Sequence, residues 1–444
     1  MEFLDGFIYS RDSPPLSGDS PLAQIESSQM WSTINRRALN LIALTVLVSL
    51  SAAAQTVPNP TAPPQTKKER KAQAKQDRVQ RDEQTVAVAE AGATSTSRLA
   101  LPFKRAWLYL TDETSTIPPA SDASRIYLPL TGGRIVCLDR ETGSLLWSSE
   151  PGGMIVSSIA VGKNSIFLAT RKVTDDGTEE GGTLRALDKA TGLTLWLKDY
   201  TRPFTSPLAL AGDRIYSGSA DGSLYALDSN NGEVIWKVET QGVVEGRSLV
   251  TDNAIYFGSD DGALRAIDRT SGKQIWTHQA SGKIVGQPAS DEHAVYFGGG
   301  DGYVYSVDIA TGKLKWRART GAAIEASPVL TGDRVLVASF DNFVYALSRA
   351  TGGRIWKRRL ENRITSAPLI EGDASLVAPL RGDYVAVFLN SDGRRVNLYQ
   401  LDREFEIVAD PIFSNETLVL ATNKGLVVAT ATRPALNAPS AVKK

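Results

Sequence analysis

The stretch DGSLYALDSNNGEVIW, residues 221–236, recurs as DGALRAIDRTSGKQIW (261–276), DGYVYSVDIATGKLKW (301–316) and DNFVYALSRATGGRIW (341–356). On either side of it, Trp107, Trp147, Trp196, Trp236, Trp276, Trp316 and Trp356 are separated by 40, 49, 40, 40, 40 and 40 residues. A fixed period of this length marks a repeat architecture in which each unit buries its apolar face against the next. Within the unit ending at Trp236, SPLAL (206–210) reads as a short apolar strand, Gly212-Asp213 as a turn and Arg214–Gly218 as a second strand. Asp221-Gly222 carries the signature of a primed hairpin turn. Ser223–Asp228 alternates small or polar with apolar residues, Asn231-Gly232 turns the chain, and Glu233–Glu239 brings the tryptophan. Four antiparallel strands per unit and no helical periodicity predict a β-propeller blade.

Units end at Trp147, Trp196, Trp236, Trp276, Trp316 and Trp356, and a seventh places Asn397 where the tryptophan should stand. An eighth begins near Asp410-Pro411 and runs through ETLVLATNKGLVVATAT, but no fourth strand follows it. KRAWLYL (104–110) supplies one: Trp107 lies twelve residues before Pro119, as Trp356 lies twelve before Pro368. The expected fold is therefore all-β, an eight-bladed propeller of four-stranded antiparallel blades whose last blade is closed by the N-terminal strand. Closure of that kind removes exposed sheet edges. Aspartates 139, 188, 228, 268 and 308 each stand four residues before a turn glycine. Their carboxylates suit the backbone N–H groups of a tight turn better than a metal.

The pattern G-x-[LIV]-x-A-[LI]-D-x-x-[TS]-G-x-x-x-W resembles the quinoprotein-type (PQQ-like) β-propeller repeat family over residues 105 to about 432. One branch of that family comprises quinone- and calcium-dependent alcohol and glucose dehydrogenases. The other, more similar in blade number, size and export, is the outer-membrane assembly factor type, BamB. The dehydrogenase branch implies a ring of two adjacent cysteines against the quinone and long insertions carrying calcium ligands. This chain has Cys137 alone and nearly invariant spacing. The resemblance thus implies a non-catalytic scaffold for protein partners in the cell envelope, with no cofactor, no metal and no catalytic residue expected. A quinone-dependent or other small-ligand-handling propeller enzyme is the alternative.

Composition narrows partners further. Lys plus Arg and Asp plus Glu both number 49, which gives no global field for nucleic acid. A single cysteine forbids an intramolecular disulfide and a Cys-x-x-Cys site. His278 and His293, the two histidines, fall at unrelated repeat positions and do not suggest a catalytic pair.

From Met30 the chain reads as an export signal: Arg36 and Arg37, an apolar run from Ala38 to Leu50, then an Ala-x-Ala site at Ala52 and Ala54. Residues 1–29 are acidic and read as a non-native upstream extension; 30–54 are the signal peptide. No cysteine follows the apolar run, so lipid attachment there is not expected. Residues 55–103 form a Pro-rich and charged linker, helix-favouring over 67–85; the propeller spans 104–432 and a tail 433–444. The linker is a solvated tether or a basic arm for lipid head groups or peptidoglycan. An exported, periplasmic or outer-membrane-associated monomer is expected, touching membranes only indirectly or through the linker.

Two places offer function. The 49-residue unit has extra residues in VTDDGTEEGG (173–182), with Asp175, Asp176, Glu179 and Glu180. They suit a solvated hairpin tip, a partner-contacting loop or a calcium loop. Glu245 and Glu325 each lie nine residues after a tryptophan, and Arg247, Gln287 and Asp410 occupy nearby positions on corresponding strands. These five form either a polar ring at the channel mouth or polar groups satisfying one another between blades.

Overall fold

The computed structural model describes residues 95, 97–174 and 179–431, all of them in one propeller. Eight antiparallel sheets make up the ring. Blades 1 to 7 span residues 120–149, 154–200, 209–239, 249–279, 289–319, 329–359 and 369–400 in chain order. Blade 8 joins Ile412–Ser414, Thr417–Thr422 and Gly425–Ala431 to the first strand, Phe103–Leu110. In that closing pair Trp107 stands opposite Val428 and Leu110 opposite Gly425. Blade 2 is elaborated: Met154–Ile155 adds a fifth strand, and the long hairpin strands Ser165–Val173 and Glu179–Asp188 project beyond the ring's usual blade length.

The outermost strands show why the tryptophan recurs. Each carries a bulge at the residue before it: Ala226 pairs with Trp236 and Leu227 with Val234, leaving Ile235 extra, and the same shift recurs at Ile275, Lys315 and Ile355. A bulge re-aims the following side chain. Here it turns each indole onto the next blade. The Trp276 Nε1 donates to the Ile309 carbonyl at 2.9 Å, and a Cβ on Gly312 would meet the Trp276 ring at 2.6 Å. Only glycine fits beneath the ring, and its φ of 68° is one that side-chain-bearing residues rarely adopt. Asp308 fixes that turn by accepting from the Thr311 N–H at 2.9 Å. Equivalent indole-to-carbonyl bonds link all seven tryptophans to the following blade. The aspartates are therefore turn caps.

The expected primed turn at Asp221-Gly222 is not the one formed. Gly222 alone has positive φ, its N–H reaches the Ser219 carbonyl at 3.0 Å, and Asp221 instead accepts from the Ser223 N–H at 2.9 Å. With four residues rather than two between the strands, one left-handed residue suffices.

Blade 7 lacks its indole, and the chain repairs the gap with its own N-terminal segment. Asn397 stands opposite Val387, the register of Trp356 opposite Ala346. Its amide donates to the carbonyls of Leu99 and Leu101 at 3.0 and 2.6 Å. Residues 98–100 form a single 3-10 turn capped by Ser97, and Leu99 is wholly buried among Leu376, Val387 and Leu401. The last residues of the linker are thus seated on the propeller.

Candidate functional site: the central channel

Each blade sends its shortest strand inward, and several of these are entered through a proline: Pro119, Pro207, Pro288, Pro328 and Pro368. A strand with one free edge loses no ladder bond to proline. The eight inner segments enclose a cavity of about 1220 Å³, walled largely by Ala, Val, Leu and Pro. Glu245, Arg247, Gln287, Glu325 and Asp410 all line it. Residues that share a repeat position thus lie around one space.

Their partners differ. The Gln287 backbone N–H donates to Ser327 Oγ at 2.9 Å and its side-chain amide to the Ser248 carbonyl at 3.3 Å, bridging neighbouring blades. Glu325 pairs with Lys283 at 2.9 Å. That bond, then the charges of Glu325 and Glu245, raises the Lys283 pKa above its ordinary value. These groups satisfy one another. Arg247 and Asp410 do not. Burial alone lowers the Arg247 pKa, its Nε has no partner among the described residues, and the neighbouring Ser248 Oγ is likewise buried and unpartnered. Asp410 opens on the channel, but the low-dielectric wall crowding it pushes its carboxyl from 3.8 up to about 6. A guanidinium and a carboxylate with spare hydrogen-bonding capacity, in an otherwise apolar tube, can hold a polar chain threaded between them.

A raised carboxyl pKa means the fold binds a proton the unfolded chain has released, so stability falls as pH rises from 3.8 to about 6. Asp410→Asn should therefore raise the melting temperature near pH ~8 and change it far less near pH ~4, as read by thermal unfolding at the two conditions.

Sequence reasoning missed Lys283 and Ser248. Lys283 lies seven residues after Trp276, where Val243 and Ala323 follow Trp236 and Trp316, so a base at an apolar repeat position was the available signal. Of the acidic hairpin, Asp175 and Asp176 lie outside the described residues, as does the side chain of Glu179; Glu180 is exposed. Among the described residues no three His, Cys, Asp or Glu side chains gather as a metal site. Cys137 is fully buried in blade 1, and burial pushes its thiol up to about 12, so it is inert. His278 stands edge-on to the stacked Phe297 and Tyr305 rings and bonds the Gly312 carbonyl at 2.9 Å.

Among curated proteins, none matches this sequence. Solved structures share the fold. BamB from Moraxella catarrhalis has a TM-score of 0.62 at 20% identity, covering 75% of this chain and 98% of its own. A europium-containing methanol dehydrogenase has a TM-score of 0.61 at 12% identity, covering 76% and 95%. The quinohemoprotein alcohol dehydrogenase of Comamonas testosteroni has 0.61 at 11%, covering 77% and 78%. At such identities the likeness carries the ring and nothing more. The family model described as outer membrane protein assembly factor BamB matches residues 81–179, 180–327 and 300–436. With the repeat, the closing first strand and that match across most of its length, the chain belongs to the BamB family of eight-bladed propellers.

Proposed function

We propose that this protein is a non-catalytic scaffold of the cell envelope that binds other proteins, in the service of outer-membrane β-barrel assembly. The observation that carries the reading is the BamB family match spanning the whole propeller. The ring's construction supports it: seven indole locks and a strand from the far end of the chain leave the blades fixed and their loops free to contact partners. The channel fits the same role. Arg247 and Asp410 have groups to offer a backbone or an extended peptide end, and Glu245 and Glu325 rim the same space. The long hairpin of blade 2, whose sequence carries Asp175, Asp176, Glu179 and Glu180, is the second contact point we assign to a protein partner.

The dehydrogenase reading has the fold in its favour but not the side chains. A quinone bearing several carboxylates needs more than one cation, and Arg247 is the only Lys or Arg among the lining residues. The single thiol is sealed inside blade 1. Incubating the purified chain with pyrroloquinoline quinone, calcium and a panel of alcohols should give no dye-linked oxidation, while tagged chain should enrich barrel-assembly components from solubilised membranes. Alcohol-dependent dye reduction, or capture that enriches none of those components over an unrelated propeller, would contradict the scaffold.

A further inference from the structure

A net charge of zero hides an uneven surface. The outermost strand of blade 5, Leu314–Arg319, reads LKWRAR, and that of blade 6, Arg354–Arg359, reads RIWKRR. Seven bases stand on these two neighbouring edges with no acid in either strand, and every one of them is exposed. On blades 2 and 3 the corresponding bases are neutralised: Lys198 pairs with Glu233 at 2.6 Å and Lys237 with Glu239 at 3.1 Å. On blades 5 and 6 no carboxylate among the described residues lies within ion-pair distance of any of the seven.

Acids on the adjoining strands are engaged elsewhere, and only at Asp308, which Thr311 already holds, does the Lys315 charge register. Asp301 accepts from the Tyr303 N–H at 3.1 Å and the Tyr305 hydroxyl; Asp341 accepts from the Gly321 N–H at 2.9 Å and the Tyr345 hydroxyl. Aromatic faces support the cations in their place, with Arg317 over Tyr303 at 4.8 Å and Lys357 over Phe343 at 4.4 Å. Such stacking holds a cation without spending its charge. Each edge also exposes an aliphatic among its bases: Leu314 is 48% exposed and Ile355 41%.

We propose that the outer edges of blades 5 and 6 dock on an anionic phospholipid bilayer. Unneutralised bases are drawn to the surface potential of lipid phosphates, and aliphatic side chains set between them enter the head-group boundary. A soluble acidic partner satisfies the first feature and leaves the second unused, so the bilayer is the occupant that uses both. Among the described residues no helix is long and apolar enough to cross a membrane. The contact is therefore peripheral, and it adds to any made by the linker.

The test is co-sedimentation of the full chain with vesicles of phosphatidylcholine alone or mixed with phosphatidylglycerol. The salt-sensitive part of binding should appear only with phosphatidylglycerol. Lys315→Ser, Arg354→Ser, Lys357→Ser and Arg359→Ser together should weaken it about several hundredfold, since each base near an anionic surface contributes roughly fivefold. Lys198→Ser with Lys237→Ser should leave it unchanged, and a thermal melt confirms that both variants are folded. Leu314→Ser with Ile355→Ser should weaken vesicle binding but leave binding to soluble polyphosphate or polyglutamate as it was. Wild-type binding that is equal on neutral vesicles, or insensitive to salt, overturns the proposal without recourse to any variant. So does vesicle binding by the aliphatic variant as tight as wild type, which assigns the rim to a soluble polyanion.

Discussion

Replacing Trp276 by alanine should lower the stability of the propeller by about 3–5 kcal/mol, the usual cost of emptying a large aromatic site in a core. For a domain of this size that corresponds to a fall in melting temperature of roughly 4–7 °C. Three losses act together. The indole is 7% exposed, so its removal opens a void between blades 4 and 5. The Ile309 carbonyl loses its donor, and the Tyr256 ring, 5.7 Å away, loses its neighbour. Gly312 then lies beneath nothing, its left-handed backbone no longer covered. Trp196 and Trp236 are only half-buried, so alanine there should cost less than at Trp276. Thermal melts of the three variants side by side give the order, and a Trp276→Ala chain melting with wild type would remove the indole from its assigned role.

The fold was legible because the repeat writes its geometry in residues with little freedom. A bulge, an indole and a glycine 36 residues later form one lock, repeated from Trp107–Gly143 to Trp316–Gly352, with a longer step where blade 2 or 7 inserts residues. Asn397 was recognisable as the missing indole by spacing alone. Its partners were not, since Leu99 and Leu101 precede it by almost 300 residues and lie in a stretch that composition assigns to the linker. Long-range partners of that kind leave no local pattern. The turn at Asp221-Gly222 was misread because the dipeptide looks the same in a two-residue and a four-residue loop; the count of residues between paired strands decides, and only register gives it.

The channel group was legible as a place and illegible as a state. Spacing brought Glu245, Arg247, Gln287, Glu325 and Asp410 together, but it gave no sign that Gln287 and Glu325 are satisfied while Arg247 and Asp410 are spare. That difference depends on Lys283 and Ser327, which stand on other blades. The basic rim escaped for the opposite reason. LKWRAR and RIWKRR are plain in the sequence, but averaged over 444 residues their charge cancels, and only the ring shows that they lie side by side without acids.

A scaffold whose loops keep fixed positions needs a ring that does not open, and closure here depends on one strand. Phe103–Leu110 pairs along its length with Gly425–Ala431 and buries Phe103, Trp107 and Tyr109. Without it, blade 8 is left with three strands, Val427 and Val428 lose their cover, and Gly143 of blade 1 loses the ring that packs on it. The decisive measurement is thermal unfolding of a chain beginning at Thr111, with and without a synthetic peptide of residues 97–110. We expect the truncated chain to lose its cooperative transition or to melt well over ~10 °C lower, and the peptide to restore it. A truncated chain that melts cooperatively within a few degrees of the full one, indifferent to the peptide, would mean that the ring does not depend on its first strand.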